Sequence, residues 1–307
     1  MRLRHYISSY VILLLSSCTA VHSGYINVSQ GGRIYYHEQG QGVPLIFLHG
    51  HSLDHRMWNS QSSMFARHYR VILPDFRGYG RSSQQEEGRP FTHADDILTL
   101  MDSLRIDSAH VVGLSMGAFV AGDLLAMHPE RLISCTMASG GIRRNSPGPS
   151  QPMDSAEISR RNAEIEEVKR KGIEAVKHEW LNTLINGGGS KREQIYKPLR
   201  RMINQWTAWQ LTHKEERLFY AREAWLRLIQ RRPSTPVLFL RGETEHKKGS
   251  PAEMRFLPNA TFLTLSDCGH MMNMEQPDSF NRAVLSFLQK TEASPTKQTR
   301  NNQLHTN

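Results

Sequence analysis

Gly113-Leu114-Ser115-Met116-Gly117 sets a serine between two glycines in the pattern Gly-x-Ser-x-Gly. A serine hydroxyl is a poor nucleophile at neutral pH, so it does chemistry only where a base takes its proton as the new bond forms. Taken alone the pattern arises by chance in about one chain in ten of this length, given ordinary glycine and serine usage. Its setting adds the specificity. The apolar run at residues 110–114 reads as a buried strand entering the motif, and Phe119, Leu124 and Leu125 recur at helical spacing after it. A sharp strand-to-helix turn projects the hydroxyl from the sheet edge and aims the first N–H groups of the new helix at the reacting oxygen. Small residues at Gly113 and Gly117 let strand and helix approach without a side-chain clash. The bland alternative is an ordinary strand-to-helix turn. Histidine is the suited base, because an unperturbed pKa of about 6.5 leaves it mostly neutral at pH 7. The chain has 15 histidines, however, so residue type alone selects none of them.

The elements that must position this serine are legible in the apolar pattern. Residues 25–28 and 33–37 flank Gly31-Gly32 as an antiparallel hairpin. Residues 43–48, 71–73, 110–114 and 132–137 are short continuous apolar runs, as expected of strands buried on both faces. Ile97, Leu100, Met101 and Leu104 mark a helix between two of them. Alternating strand and helix predicts a mainly parallel sheet with helices on both faces, an α/β fold. The alternation stops at Gly140-Gly141. After the breaker cluster Asn145-Ser146-Pro147-Gly148-Pro149 the pattern is helical from Asp154 onward, with Ile173, Val176, Trp180, Leu181 and Leu184 on one face before Gly187-Gly188-Gly189. Trp206, Trp209, Leu218, Trp225 and Leu228 supply further helical faces, and most of these aromatic residues are expected in the core. Strands return at 237–240 and 261–265, and a closing helix covers 280–288. The predicted organisation is a core over 25–141 and 234–290, an inserted helical cap over 142–233, and a disordered tail over 291–307.

A net charge of +9 invites a nucleic-acid reading, but no Lys/Arg run exceeds three residues, and no nucleic-acid partner is expected. The excess is regional: residues 146–234 hold 17 Lys and Arg against 11 Asp and Glu. Solvated helical faces account for it, with an anionic substrate or an acidic membrane surface as the sharper alternatives. The first residues, Met-Arg-Leu-Arg-His followed by a short apolar stretch to Leu15, resemble an export signal, too short to span a bilayer. Leu15-Ser16-Ser17-Cys18 is similar to a bacterial lipobox. Residues 1–17 are then a removed signal, Cys18 is the lipidated first residue, and 18–24 form a linker. The expected location is the bacterial cell envelope, anchored by lipid, with ordinary cleavage after Ala20 and secretion as the alternative. Cys135 and Cys268 are expected as free buried thiols.

Across residues 32–289 the sequence resembles the α/β-hydrolase superfamily. Leu48-His49-Gly50-His51 is similar to its oxyanion loop, Asp75-Phe76-Arg77-Gly78-Tyr79-Gly80-Arg81-Ser82 to its Asp-x-Arg-Gly-x-Gly-x-Ser signature, and His128-Pro129-Glu130-Arg131 to the loop before a later strand. Cys268-Gly269-His270, with Glu275 and Pro277 beyond, resembles the loop of the catalytic histidine. The resemblance implies Ser115 as nucleophile, His270 as general base, and the backbone amides of His51 and Met116 as oxyanion donors. His49 is expected to shape the loop rather than titrate. The family's acid lies in a Gly-x-x-Asp turn, which here reads Gly242-Glu243-Thr244-Glu245. Glu245 matches the acid position and keeps the order serine, acid, histidine; Glu243 is the competitor, and solvent-facing loop acids at both positions are the bland reading.

The implied activity is hydrolysis of a small carboxylic ester, lactone or related acyl substrate through an acyl-enzyme, with no metal or organic cofactor required. The serine argues against the aspartate-nucleophile branches, the haloalkane dehalogenases and epoxide hydrolases. Carbon–carbon bond hydrolases and peptidases share the serine and stay open. So does a different class, an inactive hydrolase fold that binds a ligand or a surface partner.

Overall fold

Alternation of side chains along a buried strand sends neighbours to opposite faces, and residues 44–48 follow it: Ile46 and Leu48 enter one hydrophobic cluster, Leu45 and Phe47 the other. The computed structural model describes residues 21–143, 149, 155–215, 217–246 and 249–293. In chain order the elements are β1 (Val21–Asn27), β2 (Arg33–Gln39), β3 (Pro44–Leu48), α1 (Asn59–Phe65), β4 (Arg70–Pro74), β5 (Phe91–Thr92), α2 (His93–Ser103), β6 (Ala109–Leu114), α3 (Met116–Met127) and β7 (Leu132–Ala138). They continue with α4 (Ser155–Lys171), α5 (Ile173–Asn186), α6 (Arg192–Gln205), β8 (Arg217–Leu218), α7 (Arg222–Arg231), β9 (Val237–Gly242), β10 (Ala260–Leu265), α8 (Met272–Glu275) and α9 (Pro277–Ala293).

Eight strands form one sheet in the order β1-β2-β4-β3-β6-β7-β9-β10. The pairs β1/β2 and β2/β4 are antiparallel and the remaining pairs parallel, so the expected mainly parallel α/β sheet is found. One face carries α2, α3 and α7, with Leu100, Leu124 and Leu228 in its cluster. The other carries α1 and α9, with Phe65 and Phe280, and continues into α5 and α6 through Leu181, Leu184, Ile195 and Leu199. Each parallel crossover delivers the next strand in the same direction, so loops at the carboxyl ends gather along one edge. Register makes that gathering specific, because Leu114 pairs with Ala138 and Ala138 with Leu240.

The stretch between β7 and β9 is built mainly of helices. α4 buries none of its residues, whereas α5 and α6 pack together and α7 lies on α3. A second, two-stranded sheet pairs β5 with β8, joining this stretch to the loop before α2. Leu218, expected on a helical face, lies in β8 instead, because a two-residue strand leaves no periodicity to read.

Two boundaries differ from expectation. Val21 to Gly24, expected as linker, pair with β2, because the antiparallel ladder runs from Val21 opposite Gln39. Thr291, Glu292 and Ala293, expected in the tail, extend α9; the Thr291 hydroxyl donates to the Phe287 carbonyl and Glu292 reaches His110 Nε2 at 3.2 Å. Cys18, the export signal, Asp154 and residues 294–307 lie outside the described residues. Cys135 and Cys268 are free and buried. Among the described residues no helix is long and apolar enough to cross a membrane.

Candidate active site

Ser115 stands between β6 and α3 with φ 56° and ψ −114°. A non-glycine residue there holds roughly 1–3 kcal/mol of backbone strain, which the packed neighbours must sustain. Its amide donates to the Ala138 carbonyl at 2.9 Å, tying the turn to β7. The flanking glycines are sterically required: a Cβ on Gly113 would meet the Gly117 carbonyl oxygen at 2.1 Å, and one on Gly117 the Leu48 carbonyl oxygen at 2.1 Å. The amino end of α3 is therefore pressed against the end of β3. Met116 is the first helical residue, and its N–H, like those of any first turn, has no partner within the helix.

The loop after β3 lies beside the serine; a Cβ on Gly50 would sit 3.6 Å from that of Ser115. His49 fixes this loop. Its Nε2 accepts from the Phe76 amide at 2.9 Å, so Nδ1 carries the proton and donates to the Gly50 carbonyl at 2.8 Å. Burial holds the ring's pKa below the ordinary histidine value, which keeps this neutral, bridging form. Next in the loop, His51 packs against Trp206 and Trp180, and its Nδ1 lies 2.8 Å from the Tyr79 hydroxyl. Burial, with the Arg217 charge adding to it, pushes the His51 pKa down to about 3. Its side chain is then a neutral wall of the loop beside Ser115. Ser52 adopts φ 64° and accepts the Trp180 indole N–H at 2.8 Å. A helix of the inserted stretch, α5, thus holds the loop after β3 directly.

His270 follows β10. Its ring Nδ1 is 4.0 Å from Glu245 Oε2, within ion-pair reach but longer than a formed hydrogen bond. Glu245 Oε1 accepts from the Ser139 hydroxyl at 2.7 Å and from the Gly242 amide at 2.9 Å. Burial pushes the Glu245 pKa up, but His270, Ser139 and Gly242 together outweigh it and hold the carboxyl below the ordinary glutamate range. Glu243 is turned elsewhere: its Oε2 accepts from the Asp267 amide at 2.9 Å. Ser115, His270 and Glu245 are therefore brought to one sheet edge, and the structure puts Glu245 rather than Glu243 beside the imidazole.

Further residues support this site, and the first of them, Ser139, lies outside every motif. Ser139, one residue past β7, bridges Glu245 and the His270 carbonyl, which its hydroxyl meets at 3.2 Å. Its place at a strand's carboxyl end, before Gly140-Gly141, is the signal that could have found it. Glu275 is buried and accepts from the Gly269 amide at 3.1 Å and the Gly189 amide at 2.6 Å, fastening the His270 loop to the turn after α5. That turn does more than end a helix, since a Cβ on Gly269 would meet the Gly187 carbonyl oxygen at 2.0 Å. Tyr79 receives a hydrogen bond from Arg217 Nη1 at 3.0 Å, and burial pushes its pKa up to about 12. The signature around it is a fastener: Asp75 Oδ1 accepts from the His55 amide at 2.7 Å and Oδ2 from the Arg81 amide at 2.9 Å, while Arg77 pairs with buried Asp96 at 2.6 Å. Asp54, His55 and Asp75 form the one cluster of metal-type donors among the described residues; His55 Nδ1 lies 2.8 Å from Asp75 Oδ1, and Asp54 pairs with Arg56.

A sequence model of the family described as Alpha/beta hydrolase family matches residues 45–283. Over 302 aligned residues the chain is 28% identical to a 2-hydroxy-6-oxononadienedioate/2-hydroxy-6-oxononatrienedioate hydrolase of Paraburkholderia phymatum, covering 88% of this chain and 96% of that protein. A shorter stretch of 106 residues is 36% identical to the AB hydrolase superfamily protein YisY of Bacillus subtilis, spanning 34% of this chain and 40% of that one. Among solved structures, a thermophilic esterase from Thermogutta terrifontis with malate bound superposes with a TM-score of 0.68 at 25% identity, covering 88% of this chain and 99% of the other.

Proposed function

The chain belongs to the alpha/beta hydrolase family, and from that premise we propose that it cleaves a small carboxylic ester, lactone or related acyl substrate through an acyl-enzyme on Ser115. The observation that carries the reading is the strained Ser115 backbone at the head of α3, with His270 and its carboxylate on the same sheet edge. Ser115 Oγ attacks the carbonyl carbon while His270 takes the hydroxyl proton. The carbonyl oxygen becomes an oxyanion, to which the His51 and Met116 amides donate. His270 returns its proton to the departing alkoxide; water, deprotonated by the same ring, then releases the acid and restores the serine. A hydrolase of an oxo-dienedioate among the relatives keeps carbon–carbon cleavage as a second reading of the same nucleophile. The enzyme works, in this reading, as a lipid-anchored protein of the bacterial envelope, held through Cys18.

Labelling with a fluorophosphonate probe, which needs an activated serine, followed by a screen of short-chain acyl esters, tests the proposal. Ser115→Ala and His270→Ala should each abolish labelling and turnover with melting temperatures near that of the parent. The double variant should be hardly worse than either, because triad members act as a unit. Substantial turnover by Ser115→Ala would refute it, and a correctly folded parent that never labels would shift the reading to a ligand-binding or surface interaction protein.

A further inference from the structure

Two arginines converge on one aromatic ring beside the nucleophile. Arg143 Cζ lies 4.8 Å from the Phe219 ring centroid and 5.4 Å from that of Phe119, and Arg217 Cζ lies 5.5 Å from the same Phe219 ring. Arg217 also donates to Met116 Sδ at 3.0 Å, which brings its guanidinium to the side chain next to Ser115. Phe119 is on the first turn of α3, its amide donating to the Ser115 carbonyl at 3.1 Å.

Among the described residues these charges are only partly paired. Arg217 is paired with buried Glu215 at 3.2 Å, and Glu215 receives a further hydrogen bond from Gln85 at 2.9 Å. Arg143 is half-buried, and among the described residues no carboxylate lies within ion-pair distance of it. Burial first and then the Arg217 charge push its pKa below the ordinary arginine value, Arg160 adding to the lowering while Asp123 and Glu157 act the other way. Asp123 Oδ2 accepts the Tyr220 amide at 3.0 Å, and burial pushes the Asp123 pKa up to about 7, so this carboxyl offsets Arg143 only in part at neutral pH. A partly desolvated cation near a like charge is costly unless an anion joins it, and the flanking rings recover only part of that cost. Among the described residues Arg143 is left without an ion-pair partner, and a carboxylate would supply one.

We propose that Arg143 and Arg217 form a subsite for a carboxylate carried by the substrate, so that this enzyme prefers acid-bearing esters or lactones to neutral ones. The planar guanidinium suits a carboxylate, which it can engage through two parallel hydrogen bonds. This rests on the reading of Ser115 as the nucleophile, since the subsite is defined by its position beside Met116.

The test compares 4-nitrophenyl hydrogen glutarate with 4-nitrophenyl valerate, whose acyl chains differ in a terminal carboxylate against a methyl. The parent should favour the glutarate ester at least tenfold in kcat/KM, chiefly through KM. Arg143→Gln should lower that ratio about 10- to 100-fold, as expected for losing a hydrogen bond between charged groups. Arg143→Lys should keep much of the preference. Free glutarate should inhibit valerate hydrolysis and raise the parent's melting temperature, whereas glutaramide should do neither. Equal specificity for the two esters with no glutarate effect on melting would overturn the subsite, as would a preference that survives Arg143→Gln undiminished. Failure to turn over either ester, with glutarate still raising the melting temperature, would overturn the hydrolytic reading and support the subsite.

Discussion

Replacing Glu245 by glutamine separates the role of its charge from that of its shape. Glutamine keeps an oxygen for the Ser139 hydroxyl and the Gly242 amide, so the turn after β9 should hold. What is lost is the negative charge 4.0 Å from His270 Nδ1. At about 4 Å two unit charges attract by about 4 kcal/mol at the effective dielectric of a protein surface and about 1 kcal/mol in bulk water. The pair lies between those limits, because the His270 side chain is 30% exposed and that of Glu245 15%. A loss of roughly 2–3 kcal/mol follows, felt only when the imidazole is charged, that is, in the transition state. With about 1.4 kcal/mol per tenfold, kcat should fall roughly 30- to 200-fold while KM stays within about twofold. Glu243→Gln is the control; its carboxylate bonds the Asp267 amide, and it should remain within a few-fold of the parent. The assay is steady-state hydrolysis of one ester by both variants, with melting curves to show that each is folded. Equal and small losses would mean that no acid orients His270 here. A large loss confined to Glu243→Gln would move the acid two residues upstream.

Trp180→Phe removes the indole N–H that Ser52 accepts at 2.8 Å; kcat should fall about 3- to 10-fold, the worth of one neutral hydrogen bond, with KM nearly constant, whereas a rise in KM at constant kcat would make Trp180 a substrate contact instead. Burial pushes the Asp123 pKa up to about 7, above its value of about 3.9 in an unfolded chain. The folded state then holds the extra proton between those values, so this group's contribution is full at low pH and lost as pH rises through the window. Urea unfolding at pH 5 and pH 7 should show Asp123→Asn gaining on the parent by up to about 2.7 kcal/mol over those two units; parallel pH profiles would show that Asp123 is ionised throughout. Cys18→Ala should release the protein from the envelope or leave it unprocessed, and a mature chain beginning after Ala20 without an acyl group would refute the anchor.

The fold was legible where burial forces a pattern. Strands covered on both faces are apolar at nearly every position, so 110–114, despite buried His110, and 237–240 stood out as short runs, and β6 and β9 are found there with margins of a residue or two. The ends were less legible. Val21 to Gly24 pair through backbone groups on an edge strand whose side chains face solvent, so nothing in their composition marks the ladder. β8 is shorter still, and the segment carrying it holds Arg217, whose position against Met116 depends on how the inserted stretch lies on the core.

The same distinction separates the site residues. Gly113 and Gly117 are fixed by backbone atoms 2.1 Å from where a Cβ would stand; no other residue fits, and constraints of that kind are written into sequence as motifs. His49 is similar, since bridging the Phe76 amide and the Gly50 carbonyl needs a side chain with a donor and an acceptor on opposite edges of one ring. Ser139 does comparable work by offering a hydroxyl to a neighbouring acid and a backbone carbonyl, a service that many positions and several residue types could render. Glu245 falls between the two. A carboxylate is needed near His270, but its arm can be longer if the strand that carries it ends correspondingly farther back, so only the resemblance of the turn pointed to it. Residues that act by excluding backbone leave a signature in sequence, whereas those that act by reaching across space must be found in the fold.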